Sequence, residues 1–287
     1  LATFTAFTTL PERERAEALG EALEALAPDG VGVFEIEDGS GRFEVAGYFN
    51  GPPDRAGLAL LALVHGAEDF AVSELPETDW VAHVRRTLAP VEAGRFFVHG
   101  GHDAHLVPEG RIGLLIEAAM AFGTGHHGTT QGCLRLADRL GESGFRPEKI
   151  ADIGAGTAVL AMAAAKLWPE ARVIASDIDP LAVEVARANL APNGLEGRIE
   201  CLEATGFEHG RLRAEAPYDL IFANILKGPL LTLAPDMADS LRPGGYAILS
   251  GLLTPQAEEI LLRYGDAGLI LEFTEEIGEW SNLLLRR

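Results

Sequence analysis

From Thr129 onward, short apolar runs alternate with stretches in which apolar side chains recur every three or four positions. That alternation predicts strands separated by amphipathic helices. Helix Thr129–Leu140 leads to strand Ile150–Ile153, helix Ala158–Leu167 to strand Arg172–Ser176, and helix Leu181–Asn193 to strand Ile199–Leu202. Strand Tyr218–Ala223, helix Pro229–Ser240 and strand Gly245–Ser250 follow. Helix Thr254–Ala267 and strands Leu269–Ile277 and Asn282–Arg286 close the chain. Strands joined through helices of this length give a mostly parallel sheet covered on both faces. The first 75 residues read differently. Thr3–Thr8 is strand-prone, Pro11–Ala27 carries Ala18, Leu19, Ala22, Leu23 and Leu26 at helical spacing, and Val31–Glu37 and Phe43–Phe49 flank the loop Asp38–Gly41. With helix Pro53–His65 and strand Phe70–Leu75, the order is β-α-β-β-α-β, the split βαβ or ferredoxin-like arrangement. No catalytic constellation falls in it, so its expected job is to dock a partner. A connection follows from Pro76, with a helix expected from Trp80 and strands at Phe96–Val98 and Ile112–Ile116.

Composition narrows the classes. The chain has 287 residues with 47% apolar and 23% charged side chains, which suits a folded protein of about two domains. Lys plus Arg number 23 against 43 Asp plus Glu, a formal charge of −20. Such a body repels phosphate backbones and attracts basic partners, so no direct nucleic-acid binding is expected. Cys133 and Cys201 stand alone, without metal-ligand spacing, so neither a disulfide framework nor a metal site is expected. No apolar run is long enough to span a bilayer and the first residues do not resemble a secretory leader, so no membrane association and a cytoplasmic location are expected.

Chemistry concentrates where strands end. In Ile150–Ala158 a strand runs into Gly154-Ala155-Gly156 and then a helix, letting backbone approach a ligand at a helix N-terminus. A dinucleotide fingerprint would need glycine at 159, where the chain has Val159. Asp177 ends the next strand 23 residues after Gly154, the distance at which a carboxylate reaches a ribose diol. Asp179, before Pro180, reads as a helix cap. Asn224 ends a buried strand, where its amide carbonyl and the Ile225 carbonyl can hold an amine, or where it simply satisfies a turn. The string Ala121–Thr130 carries three glycines among hydroxyls and aromatics, with adjacent His126 and His127, and reads as a flexible loop.

Taken in order, AFGTGHHGTT (121–130), DIGAGTAVLA (152–161), SDIDPLAVEVARANLAPNG (176–194) and ANILKGPLLTLAP (223–235) resemble the bacterial methyltransferases of ribosomal large-subunit protein eleven. The similarity covers nearly the whole chain. It implies an α/β fold: a Rossmann-like class I methyltransferase sheet domain preceded by a small ferredoxin-like α+β domain. The implied division is a substrate-recognition domain at 1–75, a linker and active-site loop region at 76–128, and a catalytic domain at 129–287. The implied cofactor is S-adenosyl-L-methionine, with Phe122, Thr130, Gly154, Gly156, Asp177, Asn224 and Ile225 around it and Asn224 beside the methyl donor. The implied substrate is a basic ribosomal large-subunit protein, methylated on lysine and α-amino groups. Ala158 departs from the third glycine common in such enzymes, although alanine is small enough for close packing; His126 and Gly128 depart from a threonine and a proline in the loop. Three other readings use some of the same residues: a small-molecule N-methyltransferase, an adenine methyltransferase, and a non-catalytic adenosyl-cofactor-binding module. The first leaves residues 1–75 without a purpose. The second wants an aromatic after Asn-Pro-Pro, where this chain has Ile225-Leu226, and suits a charge of −20 poorly.

Overall fold

The computed structural model describes residues 3–28, 30–35, 42–75, 90–116 and 128–287. The chain forms two compact units, Leu1–Val84 and Arg85–Arg287. In the first, strands β1 (Thr3–Pro11), β2 (Gly30–Glu35), β3 (Arg42–Phe49) and β4 (Ala71–Leu75) make an antiparallel sheet in the order β2-β3-β1-β4. Helices α1 (Arg13–Leu23) and α2 (Arg55–His65) connect β1 to β2 and β3 to β4, the ferredoxin-like order. Ala16, Leu19 and Leu23 recur at helical spacing and are buried with Ala6, Leu10, Val45 and Leu58. Helix α2 starts where the Asp54 carboxylate accepts the Ala56 and Gly57 N–H groups at 3.0 and 3.1 Å, and it stops at Gly66 with φ +65°. The helix expected to reach Ala27 ends at Leu23; a 3₁₀ turn, Glu24–Leu26, follows it and closes on Ala27 at φ +51°. The loop expected at Asp38–Gly41 and the helix expected from Trp80 lie outside the described residues.

In the second unit, strands β5 (Val91–Ala93), β6 (Phe96–His99) and β7 (Ile112–Leu115) form a small sheet. The sequence reading treated this stretch as part of a linker. Its apolar side chains say otherwise. Ala93, Phe96, Val98, Leu114 and Ile116 are buried in one cluster with Leu134 and Ala137 of α3 (Gly128–Glu142) and Met162 of α4 (Val159–Leu167). Polar clamps fix it further. Asn193 pairs with the Leu115 N–H at 2.9 Å and its carbonyl at 2.7 Å, and Lys166 Nζ donates to the Gly113 carbonyl at 2.7 Å. Asp138 accepts the Arg95 N–H at 2.9 Å and also pairs with its guanidinium.

The large sheet contains β8 (Lys149–Ile153), β9 (Arg172–Asp177), β10 (Ile199–Glu203), β11 (Tyr218–Asn224), β12 (Leu241–Leu253), β13 (Ile270–Ile277) and β14 (Trp280–Arg286), in the order β10-β9-β8-β11-β12-β14-β13. Five strands are parallel, and β14 runs antiparallel to both neighbours. This is the seven-stranded Rossmann-like sheet. Helices α5 (Pro180–Leu190), α6 (Gly210–Glu215), α7 (Lys227–Ser240) and α8 (Ala257–Asp266) complete it with α3 and α4. Strand pleat divides the core in two: Ile150, Leu220, Phe222 and Ile248 face one cluster, and Ala151, Ile221, Ala223 and Leu249 the other. Chain order reverses between β8 and β11, which opens a crevice at their carboxyl ends.

The Asp138 clamp yields a stability prediction. Removing one partner of a buried pair costs about 3–5 kcal/mol, less here because the Arg95 side chain is 41% exposed. Asp138→Ala should therefore lower unfolding free energy by about 2 kcal/mol, and Asp138→Asn, which keeps one acceptor, by less. Urea unfolding of both variants checks this.

Candidate functional site

Four strand and helix ends meet at the crevice. The turn after β8 places Gly154 at φ +72° and Gly156 at φ +53°, conformations that L-residues with a Cβ adopt at a cost. Its backbone hangs on β9: the Ser176 carbonyl accepts the Gly154 and Ala155 N–H groups at 2.8 and 2.9 Å. The Asp177 carboxylate completes the brace. One oxygen accepts the Gly156 N–H at 2.9 Å, the other the Asp179 N–H at 3.0 Å. Asp179 caps α5 through the Leu181 N–H at 2.9 Å, with Pro180 in the first turn, as its sequence position implied.

Ala158 sits at the start of α4 with φ +61° and ψ +24°, fully buried. Sequence reasoning judged the missing third glycine by size alone. The backbone gives a second reason for glycine there, since the left-handed region costs an L-residue about 1–2 kcal/mol. Ala158 also has no side chain with which to cap the helix. That role falls to Asp152 on β8, whose Oδ2 accepts the Ala161 N–H at 2.9 Å. Its other oxygen, Oδ1, and the Ser176 hydroxyl are buried without a hydrogen-bond partner among the described residues. Burial raises the Asp152 carboxyl to about 7; the Ala161 N–H opposes the rise, and the negative charge of Asp177 adds to it.

On the other side of the crevice, Asn224 ends β11 opposite Ser250 of β12. Its amide nitrogen lies 3.4 Å from the hydroxyls of Thr129 and Thr130, both buried in the first turn of α3. With the NH₂ end donating there, the carbonyl end is left to accept. The Ile225 N–H donates to the Ser250 carbonyl at 3.2 Å. Behind them is a buried polar relay. The Ser250 hydroxyl donates to Asn282 Oδ1 at 2.6 Å, and Asn282 Nδ2 donates to the Glu275 carbonyl at 3.1 Å. Gly132 of α3 leaves the space that Asn282 fills.

Ile225 is held between two glycines. A Cβ on Gly154 would overlap Ile225 Cγ2. A Cβ on Gly251, at φ +84°, would lie 2.7 Å from the Ile225 carbonyl carbon and nearer still to its oxygen. Of the residues singled out from sequence, Gly154, Gly156, Asp177, Thr130, Asn224 and Ile225 thus stand on the adjoining ends of β8, β9, β11 and α3. Phe122, His126 and His127 lie outside the described residues. Asp152, Ser250, Gly251 and Asn282 were missed. Asp152 opens the glycine string, and a carboxylate in an otherwise apolar strand is a signal that was there to read; the other three are brought in by tertiary pairing.

Comparison with known proteins finds similarity along nearly the whole chain. The family model for ribosomal protein L11 methyltransferase (PrmA) matches residues 18–287. A relative from Brucella melitensis biotype 2 (strain ATCC 23457), named ribosomal protein L11 methyltransferase, is 42% identical over 278 residues, covering 96% of each chain. One of the same name from Rhodopseudomonas palustris (strain BisB5) is 42% identical over 282 residues, 96% of this chain and 93% of that one. A crystal structure of a ribosomal protein L11 methylase from Lactobacillus delbrueckii subsp. bulgaricus superposes with a TM-score of 0.61 at 27% identity, over 70% of this chain and 99% of its own.

Two outcomes follow for the site. Because the native Asp152 carboxyl holds its proton up to about pH 7, while an unfolded aspartate loses it near 4, its contribution to stability is full below about pH 4 and is lost as pH rises through 7. Asp152→Asn should therefore gain stability relative to the parent between pH 5.5 and 8 in urea titrations without cofactor; parallel pH profiles would remove the buried charge from the account. Gly251→Ala should displace the Ile225 carbonyl and lower turnover about tenfold or more while the protein still melts cooperatively, read by steady-state kinetics beside calorimetry.

Proposed function

The chain belongs to the family of ribosomal protein L11 methyltransferases, and on that premise we propose how its own residues carry out amino-group methylation of protein L11. It is an S-adenosylmethionine-dependent protein methyltransferase. The observation that carries the residue assignment is the crevice where the braced glycine turn faces the amide of Asn224 across Ile225. The donor set fits the cofactor. Gly154 and Gly156 present backbone without side chains, and the two Asp177 oxygens, each accepting one N–H, keep lone pairs for a ribose diol. Asp152 Oδ1 and Ser176 Oγ add buried polar atoms beneath the turn that no protein group satisfies among the described residues. Thr130 stands at the wall, and Phe122 is assigned to the covering loop by resemblance. When bound, S-adenosylmethionine supplies a methyl group on a positively charged sulfur.

The protein's task is to deliver a neutral amine in line with that methyl. A lysine amine near pKa 10.4 is mostly protonated at neutral pH, so it must shed a proton to solvent as it is desolvated. The Asn224 carbonyl, freed by its NH₂ contacts to Thr129 and Thr130, and the Ile225 carbonyl then accept the two remaining N–H groups. That leaves the nitrogen lone pair oriented for displacement. Positioning and desolvation supply the acceleration in this reading. Lysine and α-amino groups share the chemistry, and both are within the proposal. A small-molecule role is not favoured by the family. The formal charge of −20 supports a basic partner and argues against a nucleic-acid one. Among the described residues no helix is long and apolar enough to cross a membrane, and the proposed setting is the cytoplasm, where its substrate is made.

Methyl transfer from labelled S-adenosylmethionine to purified L11, with mass spectrometry of the product, tests the activity; absence of labelled L11 sinks it. Within that assay the two sides of the crevice should separate. Asp177→Ala should weaken cofactor binding by about 1.5–3 kcal/mol in calorimetry. Asn224→Ala should lower kcat far more than it changes cofactor affinity, because its contact to the amine matters in the transition state. Equal losses in both constants for Asn224→Ala would make it only a wall of the cofactor pocket.

A further inference from the structure

Strand β14 carries an amide where its pattern calls for an apolar side chain. The pleat turns Asn282 and Leu284 to the same face of the sheet, and Leu284 joins the core cluster that holds Cys133, Leu134 and Ala137 of α3. Asn282 is nevertheless fully buried on that face. A buried amide is tolerated when its groups are paired, and exchanging a paired set for apolar groups of the same shape is close to neutral. Stability alone therefore gives little reason for an amide at this position.

What the amide holds together gives the reason. Its oxygen accepts the Ser250 hydroxyl at 2.6 Å. Its nitrogen donates to the Glu275 carbonyl on β13 at 3.1 Å and to the carbonyl of Gly128, the first residue of α3, at 3.5 Å. One planar group thus ties β12, β13 and the start of α3. Helix α3 also closes on it sterically, since a Cβ on Gly132 would overlap the Asn282 amide. The tied residues are the ones that hold Asn224 and Ile225. Gly128 precedes Thr129 and Thr130, whose hydroxyls stand 3.4 Å from the Asn224 nitrogen. Ser250 lies opposite Asn224 in the β11–β12 register, its hydroxyl is 3.4 Å from the Thr129 carbonyl, and its own carbonyl accepts the Ile225 N–H. Asn282 therefore reaches Asn224 through α3 and Ile225 through β12.

We propose that Asn282 is a positioning residue for Asn224: it fixes the first turn of α3 against β12, so that the two threonine hydroxyls take the Asn224 NH₂ group and leave the amide carbonyl for the incoming amine. The inference rests on the proposed assignment of Asn224 as an acceptor for that amine. An amide at the end of a strand turns about its last side-chain bond unless its partners are fixed, and here the partners sit on a separate helix. Misplacing a reacting group by about 1 Å costs up to about a hundredfold in rate, so the placement of that helix turn bears directly on turnover.

The test uses the full-length enzyme, L11 and S-adenosylmethionine. The chain has five asparagines, so isotopic labelling of asparagine gives five side-chain NH₂ signals in magnetic resonance, and the one missing in Asn224→Ala belongs to Asn224. That signal should shift, and exchange its protons with water faster, in Asn282→Ala and in Ser250→Ala. The second variant removes a single oxygen and decides the matter where the first does not fold. In both, kcat at saturating L11 and cofactor should fall about tenfold. Made in an Asn224→Ala background, the same changes should lower kcat little further, because the residue they act through is gone. Gly132→Ala added to Asn282→Ala refills the vacated space, so the melting temperature should recover and kcat should not. Recovery of kcat along with melting temperature, or equal losses in both backgrounds, makes the role one of packing and overturns the proposal. An Asn224 signal unmoved in both variants overturns it as well. If the signal moves as expected and Asn224→Ala itself keeps its kcat, the positioning of Asn224 by Asn282 stands and the reading of Asn224 as the amine's acceptor fails.

Discussion

The architecture of the crevice depends on how closely three strand ends approach one another around Ile225. Gly154 after β8 and Gly251 within β12 lie against opposite sides of this residue, one touching its side chain and the other its backbone. Both glycines have positive φ, so each position lacks room for a Cβ and also bends the chain in a way that a side chain would resist. Because Ile225 follows Asn224 directly, fixing its backbone fixes the end of β11. The Ile225 N–H bond to the Ser250 carbonyl then anchors the chain after β11, and the Asn224 contacts to Thr129 and Thr130 set the direction of its side-chain amide. A loop held only by its own turn would not hold these residues in register. Here the register comes from the parallel pairing of β11 with β8 and β12.

Electrostatics constrains the opposite wall. Two carboxylates bracket the strand–turn–helix unit through backbone N–H groups: Asp177, at the end of β9, accepts from Gly156 in the turn, and Asp152, on β8, accepts from Ala161 in the first turn of α4. Burial lifts the Asp152 carboxyl to about 7; the Ala161 N–H opposes the rise, and the negative charge of Asp177 adds to it. Asp152 nevertheless does structural work that Ala158 cannot do, because α4 begins on a residue with no capping side chain. The strained Ala158 and the half-satisfied Asp152 are local departures from an ideal strand–turn–helix. Such departures persist where the surrounding fold holds them and where a ligand closes the remaining valences.

Much of this was legible in the sequence because the information was local. The strand–glycine–helix string, the carboxylate at the end of the next strand and the amide at the end of β11 are all read along one chain segment, and the βαββαβ order follows from periodicity alone. What was not legible arises from residues distant in sequence. Asn282 reaches Ser250 across 32 positions, and Gly251 acquires meaning only once β12 lies beside the loop that carries Ile225. The stretch 91–116 was read as a linker because its strands are short and its loops long. Its burial comes from α3 and α4, which the local pattern does not show. Ala158 was weighed by volume, whereas the backbone angle makes the stronger case.

The two faces of α2 show where hydrophobic patterning carries information that an amphipathic template discards. An i, i+3, i+4 pattern is satisfied by one stripe, and the search for a core ends when that stripe is found. In α2 the core stripe needs little more than Leu58 and Ala62, yet the helix also carries leucines and a valine on its far side. Leaving them in water forgoes about 1.5–3 kcal/mol each relative to burial, and nothing within the first unit's core recovers it. Removing them would not weaken the packing of this unit, so the fold alone gives no reason for large side chains there. The negative charge is concentrated in the same unit, which has 16 acidic and 4 basic residues. The two units thus differ in what the sequence leaves to be explained: close backbone packing accounts for the residues at the crevice, whereas the core of the first unit does not account for the exposed stripe on α2.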